Sequence, residues 1–481
     1  MRTEWAVVLL ITTTGCVGSG ASPTGFEPVT LRIGFGLAAG ASSETGLRQT
    51  AGNIALEGLV RFGRDGRATR WLADRWTVSE DGLLWRFFLR PSVTFHDGTP
   101  ANAEAVRAVL VDQLPQAMGA AFEDLHEIRA VDNATIEFSL KRPCAFLLEG
   151  LDLLIEKPGS SLVGTGPFLF TGGGDQAEMR ANPGYYSSKP LIDRIKVVPY
   201  TSVRAAWADM LRGQVDMLYD VGVEALDSLE ASTAARVLTF QRGYEYVMLL
   251  NARRPYLRDP AFRRQLNAAI DRNALVADAL KGHGTPSTGA VWPHHWAYTS
   301  ELPQFHYQPK AVADGISRRR LKCIFREPSY ERLALAVQKQ LQAIGVDLDL
   351  EFVSGDELRT RLRTGDFDAL LSDFNQGPNL ARPYLFWQSG APFNYGKFSS
   401  KQVDAALDTI RHAADDAAYR AGVAAFQRAI VDDPPAIFLA WRERARAVST
   451  RFLVPVEPGT DALTTLRLWR PTTDTWATSR N

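Results

Sequence analysis

The sequence predicts an α/β protein. Three short apolar runs between Leu321 and Leu371 alternate with two amphipathic helical segments, which end at Gly345 and Gly365. A strand–helix–strand–helix–strand repeat of this kind forms a parallel sheet with right-handed connections. The composition agrees with a folded globule, because 45% of the 481 residues are apolar and 22% are charged.

The other elements follow from local patterns along the chain. Strands are predicted where β-branched and apolar residues cluster between turn residues: 30–35, 84–89, 135–140, 167–170, 195–200, 215–219, 244–250, 321–325, 346–353, 369–371 and 436–440. Helices are predicted where apolar residues recur every three or four positions: 101–114, 203–211, 261–280, 330–344, 356–363, 401–412 and 417–431. The helix after Asp259-Pro260 has a clear start, since Asp caps a helix and Pro suits its first turn. Residues 50–160 mix short strands with one helix, which indicates a small α+β domain.

The first 25 residues are typical of a secretory leader followed by a tether. An apolar stretch leads to Thr13-Thr14-Gly15-Cys16, which resembles the cleavage box of bacterial lipoproteins, although Thr13 stands where Leu is usual. The Gly- and Ser-rich segment 18–23 has the composition of a flexible tether. We expect Cys16 to be lipidated; the alternative is a plain signal peptide in which Cys16 is discarded or unmodified.

Charge and cysteine content exclude several classes of protein. Lys plus Arg and Asp plus Glu each number 54, so the net charge gives no general attraction to nucleic acid. The three cysteines are too few for a disulfide framework, and we expect Cys144 and Cys323 to be buried apolar residues. Beyond the leader, no apolar run approaches the roughly 20 residues of a membrane-spanning helix.

No familiar catalytic or cofactor motif is present. The sequence lacks the G-x-S-x-G, G-x-x-x-x-G-K-[ST] and H-E-x-x-H patterns, and the glycines from Gly34 to Gly40 are spaced one residue too far apart for a dinucleotide fingerprint. Four of the seven histidines, His283, His294, His295 and His306, lie in one loop region. They have no carboxylate or Cys at ligand spacing, so solvated or backbone-bonded imidazoles are expected instead of a metal site. We therefore predict no catalytic residues, no metal and no cofactor.

Four segments together resemble one family. They are residues 71–100 with Phe95-His96-Asp97-Gly98-Thr99-Pro100, residues 163–190 with Gly164-Thr165-Gly166-Pro167-Phe168, residues 249–272 with Asp259-Pro260-Ala261-Phe262-Arg263, and residues 390–396. Over about 400 residues their order and spacing are similar to those of the extracytoplasmic solute-binding proteins of ABC importers, in the large peptide- and nickel-binding class, family 5. Within the first segment, His96 and Asp97 are expected to form a tight turn and not a catalytic pair.

The resemblance implies a two-lobed periplasmic binding protein type II-like fold with an additional α+β accessory domain. Lobe one would comprise 26–48, 160–248 and 441–481, the accessory domain 49–159, and lobe two 249–440. Hinge strands would lie near 249–251 and 438–440, where few residues absorb the rotation of the lobes.

Peptide-binding members of the family hold the ligand's ammonium group with an Asp that follows a strand. Without gaps, that position is Gly377 in this sequence, and only a gap would bring Asp373 there. A buried amine without a carboxylate is costly, so the resemblance leaves free peptides in doubt as ligands.

The predicted ligand site combines neutral amides, exposed backbone and aromatic rings, a mixture that holds polar but largely uncharged solutes. Its candidate residues are Asp373, Phe374, Asn375, Gln376, Gly377, Asn379, Trp387, Phe393, Asn394, Tyr395 and Trp441. The alternative is that these amides only cap the turn before Pro378, since Asn and Gly favour turns for backbone reasons.

The expected function is that of a periplasmic or extracytoplasmic receptor, lipid-anchored to a membrane. It would capture a small peptide-like or other polar solute and deliver it to an ABC permease, as a monomer, without binding nucleic acid and without enzymatic activity. A metal or metallophore receptor of the same fold, of the nickel type, is the first alternative. A secreted hydrolase is the second, although it would need an acid, base or nucleophile pair at recognised spacing.

Overall fold

The computed structural model describes residues 28–36, 43–172, 177–310 and 318–472, and the leader with Cys16 lies outside them. The strands are β1 (Thr30–Gly36), β2 (Val60–Phe62), β3 (Ala68–Arg70), β4 (Ala73–Val78), β5 (Leu84–Leu89), β6 (Leu125–Ala130), β7 (Thr135–Leu140), β8 (Phe168–Phe170), β9 (Ala177–Ala181), β10 (Arg194–Tyr200), β11 (Met217–Leu218), β12 (Ala235–Leu250), β13 (Gly284–Pro286), β14 (Arg319–Phe325), β15 (Val346–Phe352), β16 (Ala369–Asn375), β17 (Ala436–Ser449), β18 (Phe452–Leu453) and β19 (Arg470–Pro471).

The α-helices of the described ranges alternate with these strands. They are α1 (Ser43–Ala55), α2 (Ala103–Met118), α3 (Ala145–Gly150), α4 (Val203–Leu211), α5 (Val223–Glu230), α6 (Pro260–Ala268), α7 (Arg272–Ala274), α8 (Glu331–Gln342), α9 (Gly355–Thr364), α10 (Ala381–Trp387), α11 (Lys401–Arg411) and α12 (Asp416–Asp432). None of them combines the length and the apolarity that a bilayer crossing requires.

One large sheet organises the described chain. Its order is β15-β14-β16-β12-β17-β11-β1-β10-β9-β8, with β13 added beside β17. β14 runs parallel to β15 and β16, and β1 runs parallel to β10 and β11. The long antiparallel strands β12 and β17 join these two parallel groups. The α/β fold class predicted from the strand–helix repeat of 321–371 is therefore confirmed.

The two joining strands are longer than predicted. β12 begins at Ala235 and β17 continues to Ser449, although the apolar pattern indicated strands only over 244–250 and 436–440. The pattern stops because the pairing of β12 with β17 shifts register between Gln241 and Glu245, around Gly243, and because charged residues occupy the middle of β17. A register shift of this kind interrupts the alternating apolar pattern, so periodicity alone does not predict the full length of the strand.

The helix predicted over 261–280 is broken after Ala268. Arg272 turns its guanidinium back and donates to the carbonyls of Asn267 and Ile270, at 3.2 and 3.3 Å. Asp271 then caps the next turn by accepting from the Ala274 N–H at 2.9 Å. The first helix ends because a side chain occupies its last carbonyls, and the new N-cap starts the next helix.

Residues 49–159 contain a second sheet, in the order β4-β5-β7-β6. Their apolar side chains belong to the same buried cluster as those of β12, β16 and α10–α12. Asp97 and Gly98 form the predicted tight turn, in which Asp97 accepts from the Thr99 N–H at 3.1 Å and Gly98 has a φ of +81°. The boundaries of the lobes stay a prediction.

Cys144 and Cys323 are both buried and unpaired, as the sequence predicts. Burial raises the pKa of each thiol to about 12. Both side chains therefore stay protonated at neutral pH and pack as small apolar groups.

Candidate functional site

The candidate site lies where the two halves of the large sheet meet. β11 pairs antiparallel with the end of β17 and therefore runs toward the middle of that strand. β16 approaches from the other half and ends at Asn375, which pairs with Tyr244 in the middle of β12. Ligands of open α/β sheets bind at the carboxyl ends of parallel strands. The strand ends of both halves thus point toward one shared space.

We define the central cleft by the residues around this space: Asp220, Tyr330, Asp373, Asn375, Arg442 and Arg444. A chain of ion pairs crosses it. The Arg444 Nη2 atom lies 3.0 Å from Asp220 Oδ2, and the Arg442 Nη1 atom lies 2.7 Å from Asp373 Oδ2. The Tyr330 hydroxyl donates to the other carboxylate oxygen of Asp373 at 2.7 Å. The cleft therefore carries two arginines and two carboxylates that compensate one another.

The protonation states in the cleft are fixed by these contacts. Burial by itself lowers the pKa of Arg442, but Tyr246, Asp373 and Asp220 outweigh it, and the net effect raises that pKa. Burial and then the neighbouring Asp373 raise the pKa of the Tyr330 phenol well above its usual value. Tyr330 is therefore a hydrogen-bond donor and Arg442 a permanent cation at any physiological pH.

Asn375 supplies an unsatisfied polar atom at the edge of the cleft. Its Oδ1 is buried and accepts no hydrogen bond from any residue that the structure describes. Asn375 follows Asp373 by two positions on β16, so both side chains lie on the same face of the sheet. A buried acceptor without a donor costs about 1 to 3 kcal/mol, and a ligand that donates to it recovers this free energy.

Gln376 and Trp387, two of the predicted residues, belong to a buried hydrogen-bond network. Gln376 donates to Glu245 through its amide nitrogen and accepts from the Trp387 indole N–H through its amide oxygen. Ser287 donates to the same Glu245 carboxyl. Complete burial raises the pKa of Glu245 well above its ordinary value. Both ends of the Gln376 amide are thus occupied within the protein.

Gly377 lies against Gly243, where the register of β12 shifts. A Cβ at Gly377 would lie 3.5 Å from the Gly243 Cα, and a Cβ at Gly243 would lie only 2.6 Å from the Gly377 carbonyl carbon. Gly243 also has a φ of +71°, a conformation that favours glycine. Trp292 covers the same point and packs edge-on against Trp441, with ring centroids 5.0 Å apart. Trp441 itself is completely buried.

Phe374 and Asn379 face the interior. Phe374 is 6% exposed and stacks on Phe386, with centroids 4.8 Å apart. The Asn379 amide donates to the Glu149 carbonyl at 3.3 Å, while its Oδ1 is buried without a partner among the described residues. These residues join the end of β16 to α3 of the 49–159 segment. Their contacts are those of a packing interface.

The turn Phe393-Asn394-Tyr395 lies at the opposite end of β16 from Asn375. The Asn394 amide donates to the carbonyls of Gln388 and Phe398, and the Tyr395 carbonyl accepts from Arg253 near the start of β16. Phe393 contacts Phe386, which stacks on Phe374, so a row of aromatic rings connects the turn to the loop after β16. The structure does not bring the turn and the loop together around one space, and their role in ligand binding stays a prediction.

The loop histidines do not converge. His283 contacts Glu443 at 3.0 Å, whereas His294 contacts Arg64 at 2.8 Å. His295 is 3% exposed, and burial lowers its pKa to about 4, so it is neutral. Among the residues that the structure describes, no three or more His, Cys, Asp or Glu side chains are grouped as a metal site requires.

Sequence reasoning missed four of the cleft residues: Asp220, Tyr330, Arg442 and Arg444. A signal was present, because Arg442 and Arg444 alternate along a strand that begins with the fully apolar run 436–441. Charged residues at every second position of a central strand need a polar space or buried partners on that face. Asp220, directly after β11, stands at a carboxyl strand end, where sites of α/β sheets are expected.

Relatives of the chain are binding proteins of transporters. A sequence profile described as bacterial extracellular solute-binding proteins, family 5, middle region, matches residues 67–396. A probable D,D-dipeptide-binding periplasmic protein of Escherichia coli is 26% identical over 409 residues, which cover 76% of this chain and 78% of the relative. A glutathione-binding protein of Salmonella typhimurium is 25% identical over 402 residues, which cover 75% of this chain and 78% of that protein.

Solved structures share the fold at lower identity. A Campylobacter jejuni protein in complex with Ni(L-His) aligns with a TM-score of 0.78 and 20% identity, over 92% of this chain and 100% of that one. A Helicobacter pylori periplasmic binding protein in complex with the peptide STSA aligns with a TM-score of 0.78 and 20% identity, over 92% and 98%. The two-lobed periplasmic binding protein architecture with its extra domain is thereby confirmed. Because the profile match spans well over half of its length, the chain belongs to family 5 of the bacterial extracellular solute-binding proteins, the binding components of ABC importers.

Proposed function

We propose that the chain is a receptor that captures a small, polar, peptide-like solute in the central cleft and delivers it to an ABC permease. Membership of family 5 supports the class, and the peptide- and glutathione-binding relatives support the kind of solute. The observation that carries the solute's chemistry is Asn375, whose buried side-chain oxygen lacks a donor at the strand end that faces the cleft. A solute with an amide N–H or a hydroxyl O–H group supplies that donor.

The pairing of Asp373 supports a solute that is not recognised through a free ammonium group. Arg442 and Tyr330 already engage both oxygens of the Asp373 carboxylate. A ligand amine would have to displace an arginine from a partly buried carboxylate, which loses one ion pair to form another. Gly377, at the position where peptide-binding members place their Asp in gap-free register, offers backbone only. We therefore propose a polar solute without a free amine, with its amide groups toward Asn375.

The proposed capture closes the two lobes about the register shift of β12 and β17, a few residues away from the hinge at 249–251 and 438–440 that the resemblance implies. Only these long strands pass between the two parallel groups of the described sheet, apart from the short addition of β13. The register shift between Gln241 and Glu245 interrupts the ladder hydrogen bonds at that point. Because β12 and β17 share fewer ladder hydrogen bonds at this position, their backbone angles can change locally, which is what a hinge requires.

We propose binding without turnover, and attachment to a membrane through Cys16. Both carboxylates of the central cleft are held in ion pairs with Arg442 and Arg444, so neither is placed as a free acid or base. Lipidation of Cys16 rests on its leader and tether, which precede the described residues.

Native mass spectrometry of protein purified without denaturation tests the proposed function. We expect a peptide-like solute to be retained, and calorimetry with that compound to reproduce binding. Solution scattering should show a smaller radius of gyration with the solute than without it, because ligand favours the closed state by its differential affinity. Hydrolysis of members of an ester or peptide panel would contradict the proposal in favour of a hydrolase. Stoichiometric uptake of Ni²⁺ without an organic solute would favour the metal receptor instead.

A further inference from the structure

A second pocket lies outside the central cleft. It has a volume of about 390 Å³ and is formed by the end of α1, the β2–β3 hairpin, the segment after β9 and the segment before β19. None of the residues that define the central cleft lines it. Its volume falls within the roughly 300 to 1,000 Å³ of small-molecule sites. The pocket therefore has the size of a ligand site and belongs to a different part of the fold.

Four arginines line this pocket, and we call it the arginine pocket after them: Arg61, Arg70, Arg90 and Arg467. Arg90 donates to the Trp71 carbonyl and pairs with Asp74, and Arg467 donates to the Ser188 hydroxyl at 3.0 Å. The side chains of Arg61 and Arg70 form no hydrogen bond or ion pair with any described residue. The guanidinium groups of Arg61 and Arg70 are therefore available to bind an anion, and two further arginines add positive charge to the pocket.

The carboxylate in the pocket wall, that of Glu57, forms no described ion pair with the four arginines, and its described partners are neutral side chains. Glu57 accepts hydrogen bonds from the hydroxyls of Tyr185 and Tyr186, at 2.7 and 3.1 Å, and from the Trp71 indole N–H at 2.8 Å. Thr165 donates to its second oxygen at 2.9 Å. Burial raises the pKa of Glu57, whereas the four hydrogen bonds that it accepts favour its ionised form. Glu57 thus serves to hold the two tyrosines in the wall of the pocket.

The rings of the two tyrosines, tilted by 45° against each other, provide aromatic surface next to the charge. The rings of Tyr185 and Tyr186 lie 4.5 Å apart, and the Arg90 guanidinium lies over the Tyr186 ring at 5.3 Å. Apolar side chains of Phe62, Leu154 and Phe168 complete the lining. A planar or apolar body can rest on such a surface while a charged group reaches the arginines.

We propose that the arginine pocket binds a small organic anion that carries two negative charges, as phosphate or carboxylate groups, on a flat apolar body. Guanidinium groups pair with phosphate and carboxylate in the same bidentate geometry, so this shared chemistry defines the ligand class. Binding there would join the β2–β3 hairpin to the C-terminal segment that carries Arg467. The site is independent of the solute in the central cleft.

Calorimetry with phenyl phosphate, phthalate and benzyl alcohol tests the proposal. We expect phenyl phosphate or phthalate to bind the wild-type protein, and the stronger of the two identifies the preferred anion. Benzyl alcohol, a neutral molecule with the same ring, should bind at least tenfold more weakly. The affinity for the anions should fall as salt is raised, because the attraction is electrostatic.

The double variant Arg61→Gln/Arg70→Gln should bind the preferred anion at least tenfold more weakly. Both side chains are exposed and form no hydrogen bond or ion pair with a described residue, so the fold should be retained. An unchanged midpoint of thermal unfolding would show this. Arg318→Gln/Arg359→Gln is the matched control, since it removes the same charge from side chains that are 82% and 74% exposed and outside the pocket. Equal affinity of wild type and Arg61→Gln/Arg70→Gln, equal affinity for benzyl alcohol, or no binding of either anion would overturn the proposal.

Discussion

The guanidinium of Arg442 lies 2.7 Å from the carboxylate of Asp373, and this contact joins β17 to β16 across the central cleft. The two side chains are 24% and 17% exposed, so the pair is largely removed from water. The Tyr330 hydroxyl completes the coordination of the carboxylate. Asp373, the residue that only a gap would bring to the family's ammonium-binding position, is therefore compensated from within the protein, which shapes what the cleft can accept.

Removing this arginine should destabilise the fold. Arg442→Gln leaves Asp373 and Asp220 without their shared cation, and we expect the free energy of unfolding to fall by about 1 to 3 kcal/mol. Urea denaturation measures the change. Arg359→Gln is the control, because its ion pair with Asp356 is exposed and should contribute less than about 0.5 kcal/mol. Equal losses of unfolding free energy in the two variants would show that the ion pair in the cleft stabilises the fold no more than an exposed ion pair does.

Removing the unsatisfied acceptor should weaken solute binding. Once the solute is identified, Asn375→Ala is expected to reduce its affinity by about 1 to 3 kcal/mol, the cost of leaving the buried donor of the solute unpaired. Calorimetry gives the affinity, and circular dichroism confirms the fold.

Tyr395→Ala decides how far the site extends: a comparable loss places the turn at 393–395 within it, and unchanged affinity excludes the turn. Wild-type affinity of Asn375→Ala would place the site elsewhere.

A methyl group at the crossing of the joining strands should be poorly tolerated. Gly243→Ala adds a Cβ about 2.6 Å from the Gly377 carbonyl carbon, at a residue with a φ of +71°. We expect a loss of about 2 to 4 kcal/mol in the free energy of unfolding, from steric overlap and backbone strain together. Gly98→Ala is the control, because its φ is +81° but no atom lies within 4 Å of the new Cβ. That variant should lose only about 1 kcal/mol, and an equal loss in both would attribute the effect to φ alone.

Stability should depend on pH through Glu149. Burial raises the pKa of its carboxyl to about 7 in the folded protein, where it accepts from the Tyr419 hydroxyl and the Ala381 N–H. Because the folded state holds this proton more tightly than the unfolded chain, the contribution is favourable at low pH. It is lost as pH rises from the ordinary carboxyl range through about 7.

Glu149→Gln keeps the shape of the side chain but cannot ionise. We expect the decline in unfolding free energy between pH 5 and pH 8 to become smaller by about 2 kcal/mol, as measured by urea titrations at both values. Glu104→Gln, at a carboxyl that is 62% exposed, should leave the decline unchanged. A decline that is identical in wild type and Glu149→Gln would remove Glu149 as its origin.

The lipid anchor has a direct test in cells. Cys16→Ala should move the protein from the membrane fraction to the soluble fraction, because two acyl chains attach a protein stably and their loss leaves no other anchor in the proposal. Cys144→Ala, at a buried cysteine, serves as the control for loss of a thiol. Unchanged fractionation of Cys16→Ala would contradict lipidation.

The fold was largely predictable, because its elements obey local rules. The α/β unit of 321–371 and the turn at Asp97-Gly98 follow from apolar periodicity and turn chemistry, which depend on neighbours in sequence. The long strands β12 and β17 were predicted too short, since their middle contains a register shift at Gly243 and charges whose partners lie on distant segments. Such positions are set by tertiary pairing, which periodicity does not report.

The candidate site was predicted only in part. Asp373 and Asn375 do lie at a carboxyl strand end beside the cleft, as their place after an apolar run indicates. Gln376, Trp387 and Asn394 instead use their polar groups on Glu245, on each other or on the backbone. An amide in a turn looks the same in sequence whether it meets a ligand or a carbonyl, and only the position of its partners distinguishes the two cases.

The central place of β17 in the sheet has a consequence for folding. Its neighbours β12 and β11 are made at least 185 residues earlier in the chain than β17 itself, which begins at residue 436 of 481. Until β17 emerges, the nascent chain holds two separate sheets, each with an unpaired edge that is prone to aggregate. The large sheet therefore becomes continuous only after β17 has been synthesised, and the facing edges of its two halves stay exposed until then.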